Sequence, residues 1–338
     1  MSALRGIVFA LATMSSTAGL SGYAQAEPLR IFYFTWVGFG PLFVAQDKGF
    51  FAKEGIEVSL IKNDDHTAAF AGLAAGHVDA VAGGLQDAVV FSEPDEDPLQ
   101  CVLVNDDTRG ADGIVAKKDI QSIADLKGKA VTVDFGSSSQ FYLNTLLKEA
   151  GLSEGDLNVV DLEGDAAGEA FLLKEVDAAA TCEPWLSQFK NAPHGHLLTD
   201  TSEQPGLLVD CVVTTADVFR ARQADFRAFG RAWDGAVKFT GSHPDEANEI
   251  IARNLGGSLE DPAVVGASLR GIHFYDGEEN RRYFGTPDNP GQIYGTVQQI
   301  IEFWSGLGRV KAEITPADVI AHGIWSTDKP GLREASLK

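Results

Sequence analysis

What most restricts the fold of this chain is that it spells the same supersecondary unit twice. Arg30 to Ile61, RIFYFTWVGFGPLFVAQDKGFFAKEGIEVSLI, reads as strand, turn, helix and strand. Arg30–Phe34 is rich in β-formers; Gly38, Gly40 and Pro41 then break the strand, with Pro41 near the first helical position, where its missing N–H costs nothing. Leu42 and Ala45 stand three apart and Phe43 and Phe50 seven apart, with charged residues mainly between them, a helical period broken at Gly49. After Gly55, Ile56, Val58 and Leu60 alternate with Glu57, Ser59 and Ile61 as a half-buried strand. Thr67–Gly76 follows as a helix, and Val78–Ala82 as a short strand running into Gly83–Asp87.

From Lys129 the pattern returns. Ala130–Val133 is a strand, Gly136–Gln140 a turn, and Gln140–Ala150 a helix with Leu143, Leu146, Leu147 and Ala150 on one stripe. Leu157–Leu162, Ala166–Lys174 and Val176–Ala180 repeat strand, helix and strand, the last running into Cys182–Trp185. Both halves carry Val-Asp-Ala at the same place, Val78–Ala80 and Val176–Ala178. Two consecutive βαβαβ units imply an α/β protein of two lobes, each with a mostly parallel sheet and right-handed crossovers. Ligands of such sheets bind outside the carboxyl ends of the strands. Four loops are thereby marked: Thr35–Phe39, Gly83–Asp87, Gly136–Gln140 and Glu183–Trp185.

Between the units lie a strand at Leu99–Val104, a hinge-like crossing at Asn105–Asp112 and a strand at Gly113–Ala116. Pro205–Thr215 is the expected return crossing, with its apolar strand pairing Gly113–Ala116. The expected division is a leader at 1–26, one lobe from 27–107 with 217–338, and a second lobe from 108–216. In the helical remainder, Phe226, Phe229, Trp233 and Val237 form one core stripe and Ile293, Val297, Ile300, Ile301 and Trp304 another. Glu278–Gly291 reads as a long surface loop, and the tail after Ser326 as frayed.

Met1–Ala26 has the form of a secretory signal: Arg5, an apolar run from Gly6 to Met14 too short to span a bilayer, and Ala24-Gln25-Ala26 before Glu27. Its removal leaves 26 basic against 48 acidic residues. So acidic a surface argues against nucleic acid and anionic membrane as partners. Cys101, Cys182 and Cys211 have no zinc spacing and sit in apolar contexts, so buried thiols are expected; an oxidising compartment leaves room for one disulfide, with Cys182–Cys211 the favoured pair.

Ser137, Ser138 and Ser139 at a helix start offer hydroxyls and free N–H groups at the positive end of a helix dipole, suited to a small anion or to plain capping. Trp36, Phe39 and Trp185 sit in loops, as pocket walls, cation–π platforms or plugs of their own lobe's edge. Glu183, with Asp87, Asp107, Asp112 and Asp210, offers carboxylates to an ammonium or guanidinium group. No GxSxG, HExxH or P-loop is present, and His194 and His196 lie in a Pro/Gly loop. Neither an enzyme nor a cofactor is implied.

Taken together, TWVGFGPLFVAQDKGFFAKEGIEV, AGHVDAVAGG, GADGIVAKKDIQSIADLKGKAVTV, FGSSSQFYLNTLLKEAGL, VDAAATCEPWLS and PGLLVDCVV resemble the nitrate/sulfonate/taurine group of periplasmic substrate-binding proteins of ABC importers, over roughly Arg30–Thr215. The same superfamily includes binders of thiamine-pyrimidine precursors and of urea- or guanidine-type compounds. The resemblance implies a type II periplasmic-binding fold that closes on one small molecule and docks transiently, as a monomer, on an inner-membrane permease with its ATPase. It matches Trp36–Phe39, Gly84, Gln86 and Asp87, Ser137–Gln140, and Glu183–Trp185 to ligand-contact loops, with Asp107, Asp112 and Asp210 at the crossings. A departure is that these loops hold no basic residue for a simple oxyanion, leaving Arg109 in the crossing as the candidate. A small nitrogen- or sulfur-containing solute with a positive group is therefore favoured, taurine-like or amine- or guanidine-like. A pyrimidine synthase and a receptor-docking sensor are the alternatives.

Overall fold

The parallel strands begin where the sequence says Val-Asp-Ala. Asp79 Oδ2 accepts the backbone N–H of Arg30 at 2.8 Å, and Asp177 Oδ2 accepts that of Ala130 at 3.0 Å. In each half the motif ties the start of one strand to the start of its parallel neighbour.

The computed structural model describes residues 27–92, 97–162, 164–310 and 313–325; the leader at 1–26 and the tail after Ser326 lie outside them. In chain order the first half comprises β1 (Leu29–Tyr33), α1 (Gly40–Asp47), α2 (Phe50–Lys53), β2 (Val58–Lys62), α3 (His66–Ala74), β3 (Ala80–Gly84), α4 (Leu85–Val90) and β4 (Leu99–Thr108). The second comprises β5 (Asp112–Lys117), β6 (Ala130–Val133), α5 (Ser138–Glu149), β7 (Asn158–Asp161), α6 (Gly164–Leu172), β8 (Ala178–Cys182), α7 (Trp185–Lys190) and β9 (Gly195–Asp200). The chain then returns through β10 (Val209–Thr215) to α8 (Ala216–Ala221), α9 (Gln223–Ser242), α10 (Pro244–Leu255), α11 (Pro262–Ser268), β11 (Ile272–Phe274), α12 (Gly277–Phe284), a β12–β13 hairpin (Gly285–Thr286, Asn289–Pro290), α13 (Ile293–Gly306) and α14 (Pro316–Val319).

One sheet has the order β11-β4-β10-β3-β1-β2 and the other β7-β6-β8-β5-β9. Read from β2 and from β7, the two are the same: three parallel strands, then an antiparallel strand brought in across a crossing. This explains why β10 does not pair with Gly113–Ala116 as expected. It fills in the first sheet, between β3 and β4, the place that β5 fills in the second beside β8. Residues 209–215 thus belong to the first sheet. The crossings are short, at 109–111 and 201–208.

Both helical stripes are core: Phe226, Phe229 and Trp233 of α9, and Ile293, Val297, Ile300, Ile301 and Trp304 of α13, are buried. The ring of Phe229 stacks on Phe51 of α2 at 5.5 Å, and Phe141 of α5 meets Phe303 of α13 edge-on at 4.9 Å. The C-terminal helices therefore pack on both halves.

Of Glu278–Gly291, read as a surface loop, the part to Phe284 is helix, and 285–291 is an exposed hairpin with its turn. Asp276 accepts the N–H groups of Glu278 and Glu279, Glu279 returns the bond to Asp276 N, and a helix starts on this capping box. It is fixed from afar by Asn280, whose side chain accepts from Val104 N at 2.9 Å and donates to Val104 O at 3.0 Å on β4. All three cysteines are free. Cys182 belongs to the second sheet, while Cys211 and Cys101 lie on the paired strands β10 and β4, so the favoured pair does not form. Burial, and Cys101 beside it, push the Cys211 thiol well up.

Candidate functional site

Because the parallel strands of both sheets end toward one another, their loops enclose a single cleft of about 580 Å³. Of the residues singled out from sequence, Trp36, Phe39, Gly84, Asp112, Ser137, Ser138, Ser139, Glu183, Trp185 and Asp210 line it. Gln86, Asp87 and Gln140 are buried just outside that lining. Asp107 is not brought in. It is held by Arg109 Nε at 3.1 and 3.2 Å, and Arg109 is thereby engaged away from the cleft lining.

The floor follows from the doubled topology. Asp210 of β10 lies opposite Gly84, the last residue of β3, and Asp112 of β5 lies opposite Cys182, the last residue of β8. Each sheet thus contributes one aspartate from its antiparallel strand. A third stands behind: Asp106 of β4 is the cross-strand partner of Asp210, a register that places Cβ atoms about 4.5–5.5 Å apart. Asp106 is fully buried; its side-chain partner is Asp210, a carboxyl–carboxyl pair that shares a proton, and no N–H among the described residues reaches its oxygens, while the Trp36 indole N–H is turned toward Asp210. Gly38 is needed here, since a Cβ would strike both Trp36 Nε1 and Asp106 Oδ2.

Burial, then the neighbouring Asp210, Asp107 and Asp112 charges, push Asp106 well above the usual carboxylate range. Burial, with Asp112 and Asp87, does the same to Asp210. Burial pushes Asp112 up to about 7, with Glu183 adding to the rise and the Thr108 hydroxyl opposing it. Among the described residues no Lys, Arg or His stands within ion-pair distance of these three. Close carboxylates in a low dielectric cannot all ionise, so this floor favours protonated carboxyls.

The rim is more varied. His66, the first residue of α3, stacks on Phe34 with centroids 3.8 Å apart, and its Nδ1 lies 3.7 Å from Asp87 Oδ2, an ion-pair contact longer than a hydrogen bond. Burial disfavours its charge, but Asp87 and the fields of Asp134 and Asp210 outweigh that and hold the imidazole above its ordinary value. Asp64 accepts from Thr35 N at 2.7 Å and pairs with Lys62 at 3.1 Å. Ser137 caps α5, accepting from Gln140 N at 3.3 Å, while Ser138 and Ser139 occupy the first helical turn, whose N–H groups have no intrahelical acceptor. Ser138 Oγ accepts from Gln86 Nε2 at 2.7 Å, a bond joining the two halves over the cleft. Glu183 is engaged: its oxygens take Ser187 N at 3.1 Å and Ser187 Oγ at 2.6 Å within α7.

Sequence reasoning missed Asp106, buried behind the lining, and His66, Thr108, Asp134, Lys62 and the turn Leu255–Leu259, which line the cleft. A signal for Asp106 existed, since carrying the β4 alternation through Thr108 puts Asp106 and Thr108 on one face and Asp107 on the other. Nothing local pointed to 255–259, which arrives from the C-terminal helices.

Two sheets of matched order, crossed twice and closing on one cleft, define the periplasmic-binding-protein fold. The crystal structure of the periplasmic aliphatic sulphonate-binding protein SsuA from Escherichia coli matches it with a TM-score of 0.73, over 87% of this chain and 97% of that one, at 20% identity. The family model described as NMT1/THI5 like matches residues 36–247, and the chain belongs to that family. A putative aliphatic sulfonates-binding protein of Bacillus subtilis is 28% identical over 256 residues, covering 74% of this chain and 76% of its own length. The taurine-binding periplasmic protein of Escherichia coli is 29% identical over 194 residues, covering 57% and 59%. Family and fold are thus as the resemblance implied. No helix among the described residues is long and apolar enough to cross a membrane.

Proposed function

We propose that this chain is the exported solute-binding subunit of an ABC importer. It captures a small nitrogen- or sulfur-containing organic solute by closure of its two lobes, and delivers it, as a monomer docking at the inner membrane, to a permease and its ATPase. The observation that carries this reading is the cleft of about 580 Å³ between the sheets, within the size range of small-molecule sites. Its walls are the rings of Trp36, Phe39 and Trp185, and its floor the carboxyls of Asp112 and Asp210. The relatives named for aliphatic sulfonates and taurine support an organic solute, and the leader supports a periplasmic location. An anionic end fits the start of α5, at Ser138 and Ser139, where free N–H groups and the helix dipole favour negative charge. Binding rather than catalysis is supported because the Ser137 hydroxyl donates to Asp134 O at 2.6 Å and is engaged as a cap.

The test is a thermal-unfolding screen of protein refolded free of carried-over solute, against taurine, alkanesulfonates, nitrate, guanidinium, choline, small amines and pyrimidines. A solute at a hundred times its Kd should stabilise by about 2.7 kcal/mol, several degrees in Tm. No shift from any compound would overturn the reading.

A further inference from the structure

We infer that the carboxyl floor is a cation subsite whose occupation is linked to proton release: Asp210 and Asp112 hold an N–H⁺ group of the solute, with Asp106 placed behind Asp210 as the positioning residue. This rests on the reading of the cleft as a solute site and goes further in naming the solute's charge and the proton coupling.

Three observations carry it. Asp210 and Asp106 are direct cross-strand partners on β10 and β4, and Asp112 faces the same cleft from β5. Asp106 is fully buried and no N–H among the described residues reaches its oxygens, so its carboxyl is completed only by a proton shared with Asp210, and ionising the pair leaves a buried charge that needs a cation. No basic side chain among the described residues is within ion-pair distance of any of the three, so a countercharge for the ionised floor has to come from outside the fold.

The charged groups whose fields reach this floor are Asp107, on the opposite face of the Asp106 strand and paired with Arg109, Asp87 from α4, Glu183 beyond β8 with Lys190 at 3.8 Å, and His66 from α3, whose charge is felt with Asp210. The cations among them are engaged elsewhere, Arg109 by Asp107, Lys190 by Glu183 and His66 by Asp87. The sum favours neutral carboxyls while the cleft is empty. A cation seated on Asp210 and Asp112 favours their ionised forms, and the displaced proton goes to solvent. The Trp36 indole lines the cleft with its N–H turned toward Asp210 and supplies a ring against which the cation rests.

The experiment is calorimetric titration of the purified protein, stripped of solute, with taurine, ethylammonium, guanidinium and ethanesulfonate at pH 6 and 7. Two buffers of different ionisation heat count the protons. The expected result is that amine or guanidinium probes bind about tenfold more tightly at pH 7 than at pH 6, with about one proton released per molecule. Ethanesulfonate, lacking the cation, should show no such slope. Asp210→Asn should weaken the cationic probes more than tenfold. Asp106→Asn should flatten the pH slope, because an amide donates to Asp210 without a proton to lose. If ethanesulfonate binds and no cationic probe does, or if the cationic probes bind without proton release, the inference falls while the solute-binding reading stands. A cleft that binds none of the four overturns the inference, and the solute-binding reading falls with it only if the wider thermal-unfolding panel also gives no shift.

Discussion

Replacing Asp112 by asparagine should make the empty protein less sensitive to pH. Asp112 is only 4% exposed, and burial raises its carboxyl from 3.8 to about 7. A carboxyl that holds its proton more tightly in the folded than in the unfolded chain favours the fold at low pH, and that contribution is lost as pH rises through the folded value. From pH 5 to pH 8 the loss spans about two pKa units, or about 2.7 kcal/mol at 1.36 kcal/mol per unit, an upper figure that relaxation around the charge brings to about 1–2 kcal/mol. The preference of the Thr108 hydroxyl for the ionised carboxylate opposes the rise and is already contained in the value of about 7. Since the Asp112 charge also helps raise Asp106 and Asp210, removing it lets both ionise more easily and adds in the same direction. Urea unfolding of wild type and D112N, without solute, at pH 5 and pH 8 measures the double difference. The variant should gain about 1–2 kcal/mol on wild type between the two conditions. A gap that stays constant within about 0.5 kcal/mol, comparable to the error of such extrapolations, would refute a buried, protonated Asp112 and mean that water reaches the floor.

Glu183→Ala should cost about 1 kcal/mol of stability even without solute, because the carboxylate caps α7 through Ser187; urea unfolding checks this, and an unchanged midpoint would remove the capping role. With Glu183 so engaged, the large loss of solute affinity expected on truncating a cleft carboxylate belongs to Asp210. Gly38→Ala should displace the Trp36 indole and the Asp106 carboxyl together, visible as altered tryptophan fluorescence and a lowered Tm, whereas a silent substitution would show that this corner is loosely packed. Gln86→Ala removes the 2.7 Å bond to Ser138 that joins the halves over the cleft, a net effect of about 0.5–1.5 kcal/mol, so solute should leave roughly 2–10 times faster in stopped-flow; equal release rates would dismiss Gln86 as a latch.

Much of the site was legible because strand ends in α/β sheets advertise themselves locally. Gly84 ends β3 and Ser137 caps α5 just where turn and capping residues break the period. Elsewhere local signals misled. The strand read at Leu99–Val104 continues to Thr108: Asp106 and Asp107 are poor strand formers that join a strand because β10 and β11 pair them on both sides, with Asn105 at a bulge between them and Val104. The polar stretch after Asp276 has the composition of a loop, yet it is a helix because its cap is satisfied and Asn280 bonds Val104, 176 residues away.

By itself the sequence determined two βαβαβ halves, their four cleft loops and their helical cores. Periodicity, glycine and proline breaks and caps act within about one helical turn or strand length, so no distant partner is needed to read them. Only the tertiary structure decided that β10 would seat itself beside β3, that Asp106 and not Asp107 would stand behind Asp210, and that His66 and the 255–259 turn would complete the rim. Register and facing are long-range properties in which a shift of one residue turns a side chain to the opposite side of the sheet. The protonation of the floor depends in turn on burial by several strands at once, which no single stretch of sequence contains.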